Sequence, residues 1–151
     1  MRFEPQTLLS PWHNQLHLSR HTRAWYRQRL KEELHERHIE KARLRRLSES
    51  ADVFCILTRA QADGHPLRRL PIFRCSHIPV HLYMVLKYTL RWSFYRMAAR
   101  LTTARDSSSV RDVVNPRKDS KVSEVADRHG LDQHKFIRVC RRLRWVWPLL
   151  P

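Results

Sequence analysis

The scarcity of glycine is the feature that most restricts what this chain can fold into. Only Gly64 and Gly130 occur in 151 residues. Because glycine supplies the positive φ angles of many tight turns, a sheet with several hairpins is difficult to build from this sequence. Leu- and Arg-rich segments separated by prolines favour helices joined by loops. The sequence therefore predicts an all-α fold, a small helical bundle with a long charged N-terminal helix and a C-terminal helix pair.

Charge, proline and apolar residues divide the chain into four predicted segments. Residues 1–18 are predicted to form an irregular basic arm, and residues 19–101 a helical region. Residues 102–119 contain three consecutive serines and Pro116, which are typical of a linker. Residues 120–151 are predicted to form the helix pair, followed by an apolar tail.

The helical region begins with two predicted helices. The first runs from about Ser19 to about Leu47, and its sparse apolar residues predict that it projects into solvent or lies on a partner. Ser48 or Ser50 is predicted to cap the second helix, and Gly64 to end it. Its predicted buried stripe comprises Val53, Phe54, Leu57 and Ala60.

Residues 78–101 form the most apolar segment and are predicted to be the central core helix. Basic residues divide it into runs too short to span a membrane. Its first predicted apolar face comprises Tyr83, Leu86, Leu90, Phe94, Met97 and Leu101. Its second predicted face comprises Met84, Tyr88, Trp92, Tyr95 and Ala99. The cations in the seams, Lys87 with Arg91 and Arg96 with Arg100, are expected to reach out to solvent.

The net charge of the chain predicts a polyanionic partner. The sequence has 30 Lys and Arg against 14 Asp and Glu, a formal charge of +16, and no acidic residue lies between Asp63 and Asp106. Self-repulsion of this size opposes a compact state unless a counter-charged partner is present. DNA, RNA and anionic lipid are the candidates. The alternative is that the cations only keep the surface soluble.

The last third carries the most specific pattern. A first helix is predicted from about Ser120 to His129, stopped by Gly130. A second is predicted to start at the N-cap Asp132 and to continue towards Trp147. A turn of about three residues between two helices makes them cross at a steep angle.

Residues 121–143 resemble a helix-turn-helix unit. Ala126 matches the small residue that such units favour in the first helix, and Gly130 matches the turn glycine. His129 departs from the pattern, because a buried aliphatic residue is usual there. The apolar positions are matched by Val125, Leu131, Phe136 and Val139.

The resemblance implies a recognition helix, and its charge supports that role, since no acid follows Asp132. The candidates to face the DNA groove are Gln133, His134 and Arg138. The candidates to contact phosphates are Lys135, Arg141, Arg142 and Arg144, with Lys121 in the first helix. The alternative is a helical hairpin that packs on the core and has a solvated basic face.

Histidines and cysteines form two sets with the spacing of metal ligands, but both are weak signals. The first is His13, His17 and His21, and the second is Cys75, His77 and His81. Neither offers four tetrahedral ligands, so no metal site and no cofactor are predicted. His134 and Cys140 lack the local signature of a catalytic pair, and paired carboxylates are missing from the apolar region. The sequence therefore predicts a protein that is not an enzyme.

Cysteine usage and the N-terminal composition bear on the compartment. Cys55 and Cys140 lie in apolar helical patterns, which indicates buried reduced thiols and a reducing environment. No apolar signal segment begins the chain, whereas the acid-free stretch Pro5–Lys31 is similar to a mitochondrial import signal. Nucleus and mitochondrion both stay open.

These observations together predict a non-catalytic protein that binds DNA or RNA. Residues 132–147 are expected to contact the phosphate backbone and, for DNA, the major groove. The alternative is a structural subunit or assembly factor of a large complex such as the mitochondrial ribosome. The apolar tail Trp145–Pro151 is expected to dock on the protein's own core or on a partner protein. The helix 19–47 is a second candidate surface for a protein partner.

Overall fold

The structure, a computed structural model, describes residues 5–67, 74–102 and 109–147. Those residues form six α-helices, one 3-10 turn and no β-strand, which confirms the predicted all-α fold. The helices are α1 (Pro5–Leu16), α2 (Arg23–Ile39), α3 (Arg43–Ala62), α4 (Ile78–Thr102), α5 (Asp119–Arg128) and α6 (Gln133–Val146). The chain divides into two compact units, Met1–Leu86 and Lys87–Pro151, with the boundary inside α4.

The predicted irregular arm is wrong, because most of it forms α1. Leu9, His13 and Leu16 are buried along one face of this helix, and α1 contacts α3. The His13 Nε2 atom lies 2.9 Å from the Thr58 hydroxyl oxygen. Burial of this face outweighs the helix-breaking tendency of Pro11, the residue that favoured an irregular arm.

The predicted continuous helix from Ser19 to Leu47 is also wrong. The backbone is extended at Glu40 and at Ala42, so α2 ends and α3 begins within three residues. The caps predicted at Ser48 and Ser50 therefore lie inside α3. The break allows α2 to fold back along α3 as an antiparallel helical hairpin, instead of projecting into solvent.

The hairpin is held by a small apolar cluster and by polar contacts at both ends. Tyr26 of α2 is fully buried against Ile56 and Ala60 of α3, and its hydroxyl donates a hydrogen bond to Asp63. Arg37 donates to the Ser50 hydroxyl at the other end, 2.9 Å away. The predicted buried stripe of α3 is confirmed except at Phe54, which is half-buried, and α3 ends just before Gly64, at φ +80°.

The helix predicted over residues 78–101 is confirmed as α4. Its second predicted face is largely buried, whereas on the first face Phe94 is buried but Leu86, Met97 and Leu101 are exposed. Lys87 and Arg91, expected to reach solvent, are instead buried, and both lie against the ring of Tyr88. No helix of the described residues has the length and hydrophobicity needed to cross a bilayer.

The described part of the predicted linker is packed into the second unit and is not a free connection. Val110 is fully buried in a cluster with Phe94 and Tyr95 of α4. Pro116 is buried as well, and the Arg91 guanidinium donates to the Val113 carbonyl at 3.5 Å. These apolar residues pack as core, which the Ser and Pro content of the segment did not indicate.

Candidate nucleic-acid interface

The turn between α5 and α6 has the geometry that the sequence predicts. Gly130 has φ +62°, a conformation that glycine adopts without the steric penalty of a side chain. The Leu131 N–H donates to the Ala126 carbonyl at 2.9 Å, which closes the end of α5. The Asp132 carboxylate accepts a hydrogen bond from the Lys135 N–H at 2.8 Å and so caps α6. The predicted helix pair is therefore confirmed.

One face of each helix builds the core of the second unit. Val125 and Ala126 of α5 are fully buried in the same cluster as Phe136 and Cys140 of α6. A side chain larger than alanine at position 126 would have to displace this packing. The Tyr95 ring of α4 stacks on Phe136, with 6.4 Å between ring centroids, so α4 packs against the buried side of α6.

His129, where the sequence departs from the helix-turn-helix pattern, is bound by an acid. Its Nε2 atom lies 2.6 Å from Asp112 Oδ2, and Arg128 pairs with the other oxygen of the same carboxylate. A half-buried hydrogen bond to a carboxylate therefore replaces the aliphatic contact usual at this position. It ties the end of α5 to the segment that follows α4.

The outer face of α6 carries exposed cations. His134, Arg138 and Arg142 are spaced i, i+4, i+8 and are exposed, as is Lys135 beside them. Within the described residues no acid forms a salt bridge with Arg138 or Arg142. Two of the three groove candidates and two of the phosphate candidates therefore share one accessible surface. We refer to His134, Lys135, Arg138 and Arg142 as the basic face of α6.

No match to this chain was found among protein families, curated proteins or solved structures. The assignment of a role to the basic face of α6 therefore depends on the chemistry of its residues. The two helices of the pair differ in charge, since α5 is mixed and α6 has cations only. α5 carries Asp119, Glu124 and Asp127, whereas no acid lies between Gln133 and the end of α6.

The other predicted contact residues are engaged within the protein. Gln133 donates a hydrogen bond to Asp127, and the Lys121 ammonium lies 2.9 Å from Glu124. Both pairs join neighbours on the surface and are accessible in part. They stabilise the fold by little, because exposed pairs of this kind contribute on the order of 0.2–1 kcal/mol.

Arg141 and Arg144 converge on one carboxylate. Both guanidinium groups reach Asp119 at 2.6 Å, and Arg144 also donates to the Pro116 carbonyl at 2.8 Å. These hydrogen bonds lower the pKa of Asp119, because they stabilise its charged form. Arg144 is mostly covered, whereas Arg141 has 64% of its side chain exposed and can bind a further anion.

Neither set suggested by spacing, His13 with His17 and His21 or Cys75 with His77 and His81, brings its ligand atoms within 4.8 Å of one another. His13 faces Thr58, whereas His21 stacks on Trp25 with 3.8 Å between ring centroids. His134 is exposed and Cys140 is buried, and burial raises the pKa of the Cys140 thiol to about 12. The described residues do bring together one group that spacing did not indicate, the carboxylates of Glu33, Glu36 and Glu49, within 4.8 Å of one another.

The apolar tail is divided between two environments. Trp147 packs on the core, with its ring edge-on to Phe94 at 6.3 Å between centroids. Trp145 is 89% exposed, and Val146 is exposed beside it. Residues 148–151 of the tail lie outside the described residues. The sequence pattern did not separate the two tryptophans, because both follow the last basic residue of α6.

Proposed function

We propose that this protein binds nucleic acid through the basic face of α6. The observation that carries the proposal is the placement of Arg138 and Arg142. Both are exposed, neither is held by an acid of the described residues, and both project from a helix whose opposite side is fixed in the core. Cations held on a rigid helix are suited to the regularly spaced phosphates of a nucleic acid.

The electrostatics of α5 also support the proposal. α5 has three acids against two cations, whereas α6 has five cations and no acid, so a phosphate backbone is attracted more strongly to the basic face of α6. The ligand is thereby oriented towards the second helix of the pair. In a helix-turn-helix complex, the N-terminal part of that helix contacts base edges, here His134 and Arg138.

The test is a salt titration of binding to duplex DNA and to structured RNA, followed by fluorescence anisotropy. The affinity of the wild-type protein should fall steeply as salt rises, because binding releases counterions. Replacing Arg138 and Arg142 with alanine should reduce the slope of log affinity against log salt by about 2, since each phosphate contact contributes roughly 0.9.

The matched control replaces Arg43 and Arg45 of α3, which are also exposed, with alanine. This variant loses the same net charge, and its slope and affinity should stay close to those of the wild type. If neither ligand binds at low salt, the proposed function is wrong. If R138A/R142A binds as tightly as the wild type, α6 is not the binding surface.

Exposed apolar residues favour a second candidate, a subunit of a large RNA–protein assembly. Ile39 and Leu44 of the α2–α3 hairpin and Leu82 of α4 are more than half exposed. A subunit that fills gaps between RNA and proteins would cover such residues and would use cations of several helices. For that function, the control R43A/R45A should weaken binding to structured RNA as much as R138A/R142A does.

A further inference from the structure

Trp145 is left largely uncovered by the residues that the structure describes. Its side chain is 89% exposed, whereas Trp147, two residues later, packs on the core. A tryptophan side chain can bury 150–250 Å² of surface, so leaving it in water forgoes a large favourable contribution to the free energy. An exposed indole at the end of a rigid helix is therefore suited to contact a ligand.

The surroundings of Trp145 are basic and preorganised. Arg141, one helical turn earlier, and Arg144 line a shallow depression of about 430 Å³ together with the indole. Asp119 holds both guanidinium groups from one side, at 2.6 Å each, and accepts a further hydrogen bond of 3.0 Å from Arg141 Nε. A guanidinium has five N–H donors, so Arg141 keeps donors for an anion while it binds Asp119.

Trp145 also shares a face with the basic residues of α6. Arg138 precedes it by seven residues, which is about two helical turns, so the two side chains project in nearly the same direction. The indole is thus an extension of the basic face of α6. An aromatic ring in line with cations is the combination that binds single-stranded nucleic acid, because the bases stack and the phosphates pair.

We infer that Trp145 and Arg141 form a stacking site for an unpaired base, so that the ligand is a single strand or a nucleic acid with an unpaired loop. The base lies on the indole, and Arg141 binds an adjacent phosphate while Asp119 keeps its guanidinium in place. The inference rests on the proposed function, since it specifies the ligand of the same helix.

A paired duplex would make weaker contacts with Trp145 than an unpaired base does. Groove contacts come from the N-terminal part of the second helix, and Trp145 lies about 18 Å further along α6 than Gln133. An indole has one N–H donor and contributes little to binding phosphates. An unpaired base instead offers an aromatic face. The flanking arginines and the lack of acids on α6 favour this polyanion over a protein partner.

The experiment compares a twelve-nucleotide oligothymidine, a strand of the same length made of abasic linkers, and a blunt duplex. Base stacking is sequence-tolerant, so oligothymidine is a suitable probe. Trp145→Ala should weaken binding of oligothymidine roughly 5- to 100-fold. It should change binding of the abasic strand and of the duplex less than about twofold, because neither presents a free base. Trp145→Phe should keep most of the affinity.

Val146→Ala is the matched control, because Val146 is an exposed apolar neighbour that does not line the depression. It should leave all three affinities unchanged, and circular dichroism should show both variants folded. If W145A binds oligothymidine as the wild type does, or loses equal affinity for all three ligands, the stacking site is wrong. If W145A binds oligothymidine like the wild type, the exposed indole instead contacts a protein partner. If the wild type binds none of the ligands at low salt, the proposed function fails as well.

Discussion

Glu33 lies where the charged form of its carboxyl group is disfavoured. The side chain is 4% exposed, in the contact between α2 and α3. Arg29 pairs with it at 2.6 Å, but Asp52, Glu36 and Glu49 surround it with like charge. Burial first, and then Asp52, raise the pKa of Glu33 from an ordinary value of 4.5 to about 7. The proton is therefore retained in the folded state over a range where the unfolded state has lost it.

This pKa shift predicts that the α2–α3 hairpin loses stability as the pH rises. Between about pH 4.5 and pH 7 the folded state binds a proton that the unfolded state does not, so the free energy of unfolding falls through this window. Glu33→Gln removes the titration. Measured by urea unfolding, its stability relative to the wild type should rise by on the order of 3 kcal/mol from pH 4.5 to pH 8.

Glu32→Gln is the control for this prediction, since Glu32 is the neighbouring acid on the same helix. Its pKa is lowered by hydrogen bonds from Arg29 and Gln28, so its effect on stability lies below about pH 4.5 and has the opposite sign. Between pH 4.5 and pH 8 the stability of E32Q relative to the wild type should therefore stay constant. If the difference in the free energy of unfolding between E33Q and the wild type is constant with pH, Glu33 ionises normally in the folded protein.

The pair of α5 and α6 depends as an element on the conformation of its turn. A Cβ atom added to Gly130 would have no atom within 4 Å, so the φ of +62° is the whole cost of a substitution. Gly130→Ala should lower the free energy of unfolding by about 1 kcal/mol or somewhat more, whereas Gly130→Asn should cost less, because asparagine tolerates this conformation.

Thermal unfolding of the two variants measures this difference. Gly64→Ala serves as the control, since Gly64 has φ +80° and also no neighbour within 4 Å, but follows α3. It should destabilise the protein to a similar extent, because its positive φ imposes the same steric penalty on alanine. Equal stability of G130A and the wild type would mean that the turn adopts another conformation.

The elements that could be predicted from sequence are those whose local signals agree with their packing. α6 has a capping aspartate, apolar residues at helical spacing and a preceding glycine, and all three point to the same boundaries. α1 could not be predicted, because Pro11 opposes a helix and only contact with α3 stabilises it. The break at Glu40–Ala42 lacks glycine and proline, and it exists because Tyr26 packs against α3.

The candidate site was predictable in composition but not in detail. Charge alone indicated that α6 carries cations, and Arg138 and Arg142 are exposed as expected. The pairing of Arg141 and Arg144 with Asp119 joins residues 22 and 25 positions apart, so no local pattern reveals it. The exposure of Trp145 likewise depends on which of two tryptophans the core has room for.

At the scale of the whole molecule, charge and compactness oppose each other. The chain carries a formal +16, and the second unit alone has 15 Lys and Arg against 6 Asp and Glu. The acids of the second unit form salt bridges with particular cations, for example Asp112 with Arg128. They therefore do not neutralise the remaining cations. Cations such as Arg138 and Arg142 keep their full repulsion in the free protein.

Salt should therefore act in opposite directions on folding and on binding. Raising sodium chloride from 20 to 500 mM (roughly the range in which the Debye length falls from above 20 Å to below 5 Å) screens the repulsion, so the melting temperature of the free protein should rise. The same change should weaken nucleic-acid binding. Arg138→Gln with Arg142→Gln lowers the formal charge from +16 to +14 and should make both salt effects smaller.

Differential scanning calorimetry and anisotropy measure the two effects on one sample. A melting temperature that falls with salt would mean that attraction within ion pairs contributes more to stability than repulsion between the excess cations does. The cations of α6 would then not destabilise the free protein.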